Sequence, residues 1–205
     1  IYNKSMSKSF VHLHAHTEYS MLDGAAKIDD YLDRVKELNQ PGAAITDHGN
    51  LYGALEFYHS ALKKKLIPII GYEAYVINDS RFDRPDRENN KRYHLTLLAE
   101  NTVGYWNLVK MASKAFTEGY YYKPRVDYEL LKDHSEGIIA LSGCLGGEIS
   151  QFLAPDGSVE EGNQEGERSF SKALEKARFY QSIFGENNFY IELHNHGIAQ
   201  QKIIL

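Results

Sequence analysis

One cysteine, Cys144, stands in 205 residues, so the chain cannot build an internal disulfide framework, and this usage fits a reducing compartment. No apolar run approaches the roughly 18 residues that a membrane-spanning helix needs. The opening residues, IYNKSMSKSF, have no apolar centre of the kind a signal peptide carries. Basic charge is not in excess: 23 Lys and Arg face 28 Asp and Glu, for a net charge of −5. The chain as a whole therefore does not advertise nucleic-acid binding, although bound divalent cations would make a pocket locally positive whatever the side-chain total. No internal repeat is visible. Hydrophobic content of 42% and charged content of 25% are ordinary for a globular protein, and the length suffices for one large domain or two small ones. These absences predict a cytoplasmic protein with no membrane association.

What is present in excess is histidine in one place. Residues 10–24, FVHLHAHTEYSMLDG, set His12, His14 and His16 at alternate positions and Asp23 beside a turn glycine. On an extended strand, side chains at i, i+2 and i+4 share a face, so three imidazoles would crowd one side of a first strand over residues 8–14. A strand that only needed burial would carry Val, Ile or Leu there. Several convergent neutral imidazoles most often serve a metal.

The remainder reads as alternating elements. Apolar residues at Ile28, Tyr31, Leu32, Val35 and Leu38 form a helical stripe, ended by Pro41-Gly42. AAIT, residues 43–46, is a short strand running into DHGN. Residues 53–64 form a second helix and 67–77 a strand that carries Glu73. A polar loop spans 78–92, followed by a strand at 93–99, helices at 103–118 and 127–134, a strand at 137–143 and a helix at 147–153. The acidic stretch 155–168 is a solvated insertion, residues 169–184 a helix, 188–196 a last strand, and GIAQQKIIL opens another helix. Six strands mostly followed by helices predict a parallel α/β fold, best fitted by an incomplete (β/α) barrel, with an open doubly wound sheet second.

Chemically capable residues gather at the carboxyl ends of these strands: His14 and His16, then Asp47 and His48, with Glu73 within the third strand and Cys144 just past the fifth. In α/β barrels that end carries the catalytic groups. His94 opens its strand instead, so either that strand's boundary is misplaced or it runs differently from the others. Mixed imidazole, carboxylate and thiolate suits Zn²⁺, Mn²⁺ or Fe²⁺ and not an all-oxygen Ca²⁺ cage. More than four candidate ligands implies at least two metals, and clustered metals suit phosphoester hydrolysis.

These residues carry a family resemblance. LHAHTEYS, TDHGN, GYEAYV and SGC resemble the polymerase and histidinol phosphatase (PHP) superfamily. Longer blocks, FVHLHAHTEYSMLDGAAK, TDHGNLYGALEFY, IIGYEAYV, HLTLLAENTVGYWNLVK and EGIIALSGCLGGEI, are similar to the N-terminal PHP domain of bacterial replicative polymerases of the DNA polymerase III alpha family. The resemblance implies a distorted, TIM-like (β/α)7 barrel, here C-terminally truncated, with residues 1–9 an N-terminal extension (native start at Met6) and 10–205 the PHP domain. It implies up to three Zn²⁺ or Mn²⁺ ions on His14, His16, Asp23, His48, Glu73, His94 and Cys144, with His14, His16, His48 and Glu73 acting catalytically through those metals. The family's final Asp and His ligands have no counterpart in these 205 residues. A 3′–5′ exonuclease is the implied activity of the domain, with a structural dock or a free-standing phosphatase as alternatives. The whole polymerase would use primer-template DNA, deoxynucleoside triphosphates, Mg²⁺ bound outside these residues, and other replicase subunits.

The other polar residues read more simply. His12 is a packing or supporting residue, His59 and His134 lie on helix surfaces, and His194 and His196 form a second HxH that need not ligate. Asp47 either orients His48 or caps the following turn. The aromatic GYYYKP segment, residues 119–124, reads first as a surface for docking against a larger protein and second as a base-stacking platform.

Overall fold

The computed structural model describes residues 10–21, 23–86, 89–154 and 169–205. The extension expected at 1–9 and the insertion expected at 155–168 lie outside the described residues. The first helix, α1 (Ile28–Glu37), buries Ile28, Leu32 and Val35 and puts Asp29 and Asp30 in its first turn and Arg34 and Lys36 in its last. That charge order matches the helix dipole. It packs with α2 (Ala54–Lys63) over strand β1 (Gly42–Ile45), enclosing Ala43, Ile45, Phe57 and Ala61 in a small core.

Strand β2 (Ile67–Ile77) is the spine. Its first half pairs in parallel with β1, its second half in parallel with β5 (Lys123–Asp127), and its other edge antiparallel with β3 (Tyr93–Ala99). β3 pairs antiparallel with β6 (Ile138–Leu141), and β6 pairs in parallel with the two-residue β7 (Phe189–Tyr190). The two-residue β4 (Tyr120–Tyr121) makes a tight hairpin with β5. The larger core lies between this sheet and helices α3 (Thr102–Thr117), α4 (Tyr128–Asp133), α5 (Glu148–Leu153) and α6 (Phe170–Phe184). A short α7 (Ala199–Ile204) follows. α3 is capped by Asn101, whose side chain accepts from the Gly104 amide, and it approaches the 137 turn so closely that a Cβ on Gly104 would lie 1.7 Å from the Gly137 carbonyl oxygen. Only glycine permits that approach.

Three expectations change. The sheet is mixed and open, in the order β4-β5-β2-β3-β6-β7 with β1 on β2, where the parallel strands of a distorted, truncated (β/α)7 barrel were expected. Residues 10–16 form no strand: the His12 and Ala15 carbonyls accept from the Ala44 and Thr46 amides, but the chain bends at Leu13-His14 and breaks the ladder. Loop 78–92 is not simply a surface feature, because Arg81 and Arg92 are buried within it. Among the described residues no helix is long and apolar enough to cross a membrane.

Candidate metal centre

The antiparallel course of β3 resolves the anomaly of His94. Because β3 runs opposite to β2, its first residues lie at the end of the sheet where β1 and β6 finish, and His94 pairs across from Tyr75. Beyond β1, His48 bridges to Glu73, and the Gly49 that follows has φ 66°. A Cβ there would lie 2.8 Å from Pro124, so a left-handed glycine lets this turn lie against β5.

Glu73 is the centre of the cluster and is 1% exposed. Its Oε1 lies 3.2 Å from His14 Nε2, 3.2 Å from His94 Nδ1 and 3.8 Å from Cys144 Sγ. Its Oε2 lies against His48 Nδ1 and 3.8 Å from His16 Nε2. Cys144 Sγ is also 3.7 Å from His94 Nδ1. Asp23 is more exposed and reaches in from its turn to contact His48 Nε2 at 2.6 Å. Every one of the seven residues expected as ligands therefore contacts this cluster. Five of them also supply the two closest groupings at Glu73, His14–His16–Glu73 and His48–Glu73–His94, whose ligand atoms lie within 4.8 Å of one another. Asp23 and Cys144 stand beside those groupings and are not members of either.

A third grouping joins His14 to Glu192 and His194. Glu192 is the residue that sequence reasoning missed. It lies just past β7, with its backbone amide donating to Ser142 Oγ, and its carboxylate accepts from His14 Nδ1 at 2.9 Å and meets His194 Nε2 at 2.6 Å. The one available signal was the spacing Glu192-x-His194 at a strand end. A carboxylate on Nδ1 directs the Nε2 of His14 toward Glu73, the arrangement that orients metal-ligating imidazoles. His16 is oriented in the same way: its Nδ1 faces the Thr46 carbonyl at 2.8 Å, and a carbonyl can only accept, so Nε2 is the basic nitrogen facing Glu73.

Several polar residues take other places. His12 is exposed and meets Phe10 edge-on, away from the cluster, which corrects its expected packing role: the bend at residues 13–14 turns it out. Asp47 is buried and holds the turn that delivers Asp23, accepting from the Thr17 amide at 2.6 Å, Thr17 Oγ1 at 2.8 Å and Ser20 Oγ at 2.7 Å. His59 and His196 are exposed, and His134 is half-buried where α4 ends.

Charge in the cluster is organised around Glu73. Burial opposes charge on Glu73, yet the imidazoles of His14, His48 and His94 outweigh it and hold the carboxyl well below its usual range. Burial likewise opposes charge on His14 and on His94. The carboxylates of Glu192 and Glu73 push His14 up to about 10, and Cys144 with Glu73 pushes His94 up to about 10. Burial prevails at His16, whose pKa is lowered. His48 Nδ1 and Glu73 Oε2 face one another without hydrogen-bond geometry, so two buried ligand atoms have no hydrogen-bond partner. So close a facing of imidazole nitrogen and buried carboxylate oxygen is favourable where a proton or a cation is shared between them. The donor set of several imidazoles, carboxylates and one thiol fits a divalent transition ion.

The PHP domain family model matches residues 12–196. Over 199 residues the chain is 50% identical to DNA polymerase III subunit alpha of Thermus aquaticus, covering 94% of this chain and 15% of that one. The same subunit of Deinococcus radiodurans is 45% identical, covering 95% and 14%, and that of Helicobacter pylori strain 26695 is 46% identical, covering 97% and 16%. The chain thus spans about 15% of the length of these relatives. A Bifidobacterium adolescentis protein assigned as a metal-dependent phosphoesterase superimposes with a TM-score of 0.53 at 11% identity, covering 96% of this chain and 82% of that one, which shows a shared fold. With the family model spanning nearly the whole described chain and the histidine, glutamate and cysteine residues of its motifs meeting at one end of the sheet, the chain belongs to the PHP-domain family.

Proposed function

We propose that this chain is the N-terminal PHP domain of a DNA polymerase III alpha subunit and that it hydrolyses phosphodiesters at DNA 3′ ends as a metal-dependent 3′–5′ exonuclease. The observation that carries the reading is the convergence of four imidazoles on the buried carboxylate of Glu73, from segments far apart in the chain. His14, His16 and Glu73 would hold one Zn²⁺ or Mn²⁺, and His48, Glu73 and His94 a second, with Asp23 and Cys144 at their flanks and His14, Glu192 and His194 offering a third position. Such ions supply Lewis acidity to a phosphodiester and activate water near neutral pH. The protein's part is to fix geometry. Glu192 and the Thr46 carbonyl lock the tautomers of His14 and His16, while Glu73 holds the rings in register. In the parent protein the domain would act in the cytoplasm on primer-template DNA, beside a polymerase region that uses Mg²⁺ and deoxynucleoside triphosphates, and together with other replicase subunits.

The test uses the full-length protein and a primer with a mismatched 3′ end. Trimming is expected to fall by at least about 100-fold in a His14→Ala, His16→Ala double variant, with primer extension on a matched end intact. Stoichiometric metal with no trimming in the unaltered protein would sink the exonuclease. It would favour a docking role, for which Leu55 and Tyr58 of α2 and Tyr105 of α3, lining one open cleft, offer an apolar surface.

Metal loading is also expected to release protons. A ligating imidazole must give up the proton on its ligating nitrogen, and in the metal-free centre His14 and His94 are held up to about 10. His48 is raised as well, its burial outweighed by Glu73, so filling the centre displaces protons, and apparent affinity strengthens as pH rises through the neutral range. Calorimetric titration in buffers of different ionisation enthalpy measures the count. Affinity that is flat between neutral pH and pH 9 would contradict it.

A further inference from the structure

Beside the metal cluster lies an open cleft of about 650 Å³ whose floor includes Asp23, His48 and His94. Its wall is aromatic. Phe116 and Tyr120 stack with ring centroids 6.1 Å apart, and Tyr52 lies 5.9 Å from Phe116. Tyr52, Tyr120 and Tyr122 are 65%, 54% and 65% exposed. Exposed rings gathered along one wall of a cleft, unlike rings scattered singly, mark an interaction site. Tyr122 is the single residue between the paired Tyr121 and Lys123 of the β4–β5 hairpin, and it holds φ 61°. A bulky side chain in a left-handed position where glycine would be unstrained points to a function for the ring. Lys123 follows, its ammonium 5.1 Å above the Tyr75 ring and at the cleft lining. Glu18 is the carboxylate at the rim outside the metal cluster.

We propose that this cleft seats the terminal nucleotides of a single-stranded DNA 3′ end, with bases stacked on Tyr52, Tyr120 and Tyr122 and a backbone phosphate near Lys123. The inference rests on the exonuclease reading and names how that site takes its substrate. Stacking requires bases freed from a duplex, which is the state of a mispaired or frayed end, and aromatic platforms with a nearby cation bind single strands with little regard to sequence. The continuity of the cleft with Asp23, His48 and His94 places the first phosphodiester beyond the stacked base beside the metal ligands.

The experiment separates binding from cleavage. A short oligonucleotide with 2-aminopurine at its 3′ end and phosphorothioate linkages is titrated with the full-length protein in the presence of chelator, and trimming of a mismatched primer is measured in parallel. Quenching on binding is expected, with affinity about tenfold weaker in Tyr52→Ala and in Tyr120→Ala and largely retained in Tyr52→Phe. The KM for trimming should rise by a similar factor in the two alanine variants, with metal content unchanged. Quenching that responds to these variants in a protein that trims nothing would support the cleft and sink the exonuclease. Trimming without quenching, or with a KM indifferent to both alanine variants, would overturn the cleft. Absence of oligonucleotide binding in the unaltered protein would overturn it as well.

Discussion

Replacing Glu73 with glutamine is expected to lower metal affinity by more than about 100-fold, a larger effect than the 10–100-fold typical of losing a residue that only orients a ligand. Glu73 touches His14, His16, His48, His94 and Cys144. The amide keeps the size of the carboxylate, so packing is preserved, but one end becomes a donor that cannot ligate and the negative charge is gone. The charge matters because, among the described residues, the four half-buried rings share no other anion: Asp23 reaches His48 and Glu192 reaches His14. With Glu73 neutral, His14 and His94 lose the carboxylate that both share, and their pKa values should fall. Elemental analysis of the purified variant, with 3′ trimming measured alongside, checks the claim. Retention of a full metal complement would show that Glu73 is not the centre of the site.

The second large effect concerns the fold. Arg125→Met should destabilise the protein by about 3 kcal/mol, measured by chemical denaturation. Arg125 is 1% exposed, and its guanidinium donates to the carbonyls of Gly119, Arg81 and Asp83 at 2.9, 2.9 and 2.6 Å. Methionine fills the volume but leaves three carbonyl oxygens without this donor. Relief of charge repulsion offsets part of the loss, since burial and then the neighbouring Arg84 and Arg92 lower the pKa of Arg125. The hydrogen bond to Gly119 lies at the foot of the β4–β5 hairpin, so loosening it should also disorder the aromatic wall of the cleft. A change below about 1 kcal/mol would mean that the freed carbonyls find other partners.

Much of the architecture was legible because it is local. The stripe of Ile28, Leu32 and Val35 produces α1, the apolar residues 67–77 produce β2, and both appear where the pattern puts them. The hairpin β4–β5 was not legible. KPRVD shows no apolar alternation; it holds a strand position through its pairing with β2, with Val126 in the core and the buried Arg125 satisfied by three carbonyls from other segments. Residues 10–16 erred in the opposite sense. Alternation suggested a strand, but drawing His14 and His16 toward Glu73 requires a bend that expels His12.

The sequence by itself determined the inventory of chemistry and its family. Imidazole, carboxylate and thiol at HAH, LDG, TDH, GYE, YHL and SGC are residue choices that burial alone would not make, and short motifs keep their identity wherever the chain places them. Tertiary structure alone decided which of those groups meet. Strand direction is a property of pairing partners, so only the antiparallel β2–β3 register carries His94 to the right end of the sheet. Only the β6–β7 pairing brings Glu192 to His14 across 178 residues. Long-range contacts leave no periodic trace in a single chain, because the force that selects them is the burial and neutralisation of groups that are strangers in sequence.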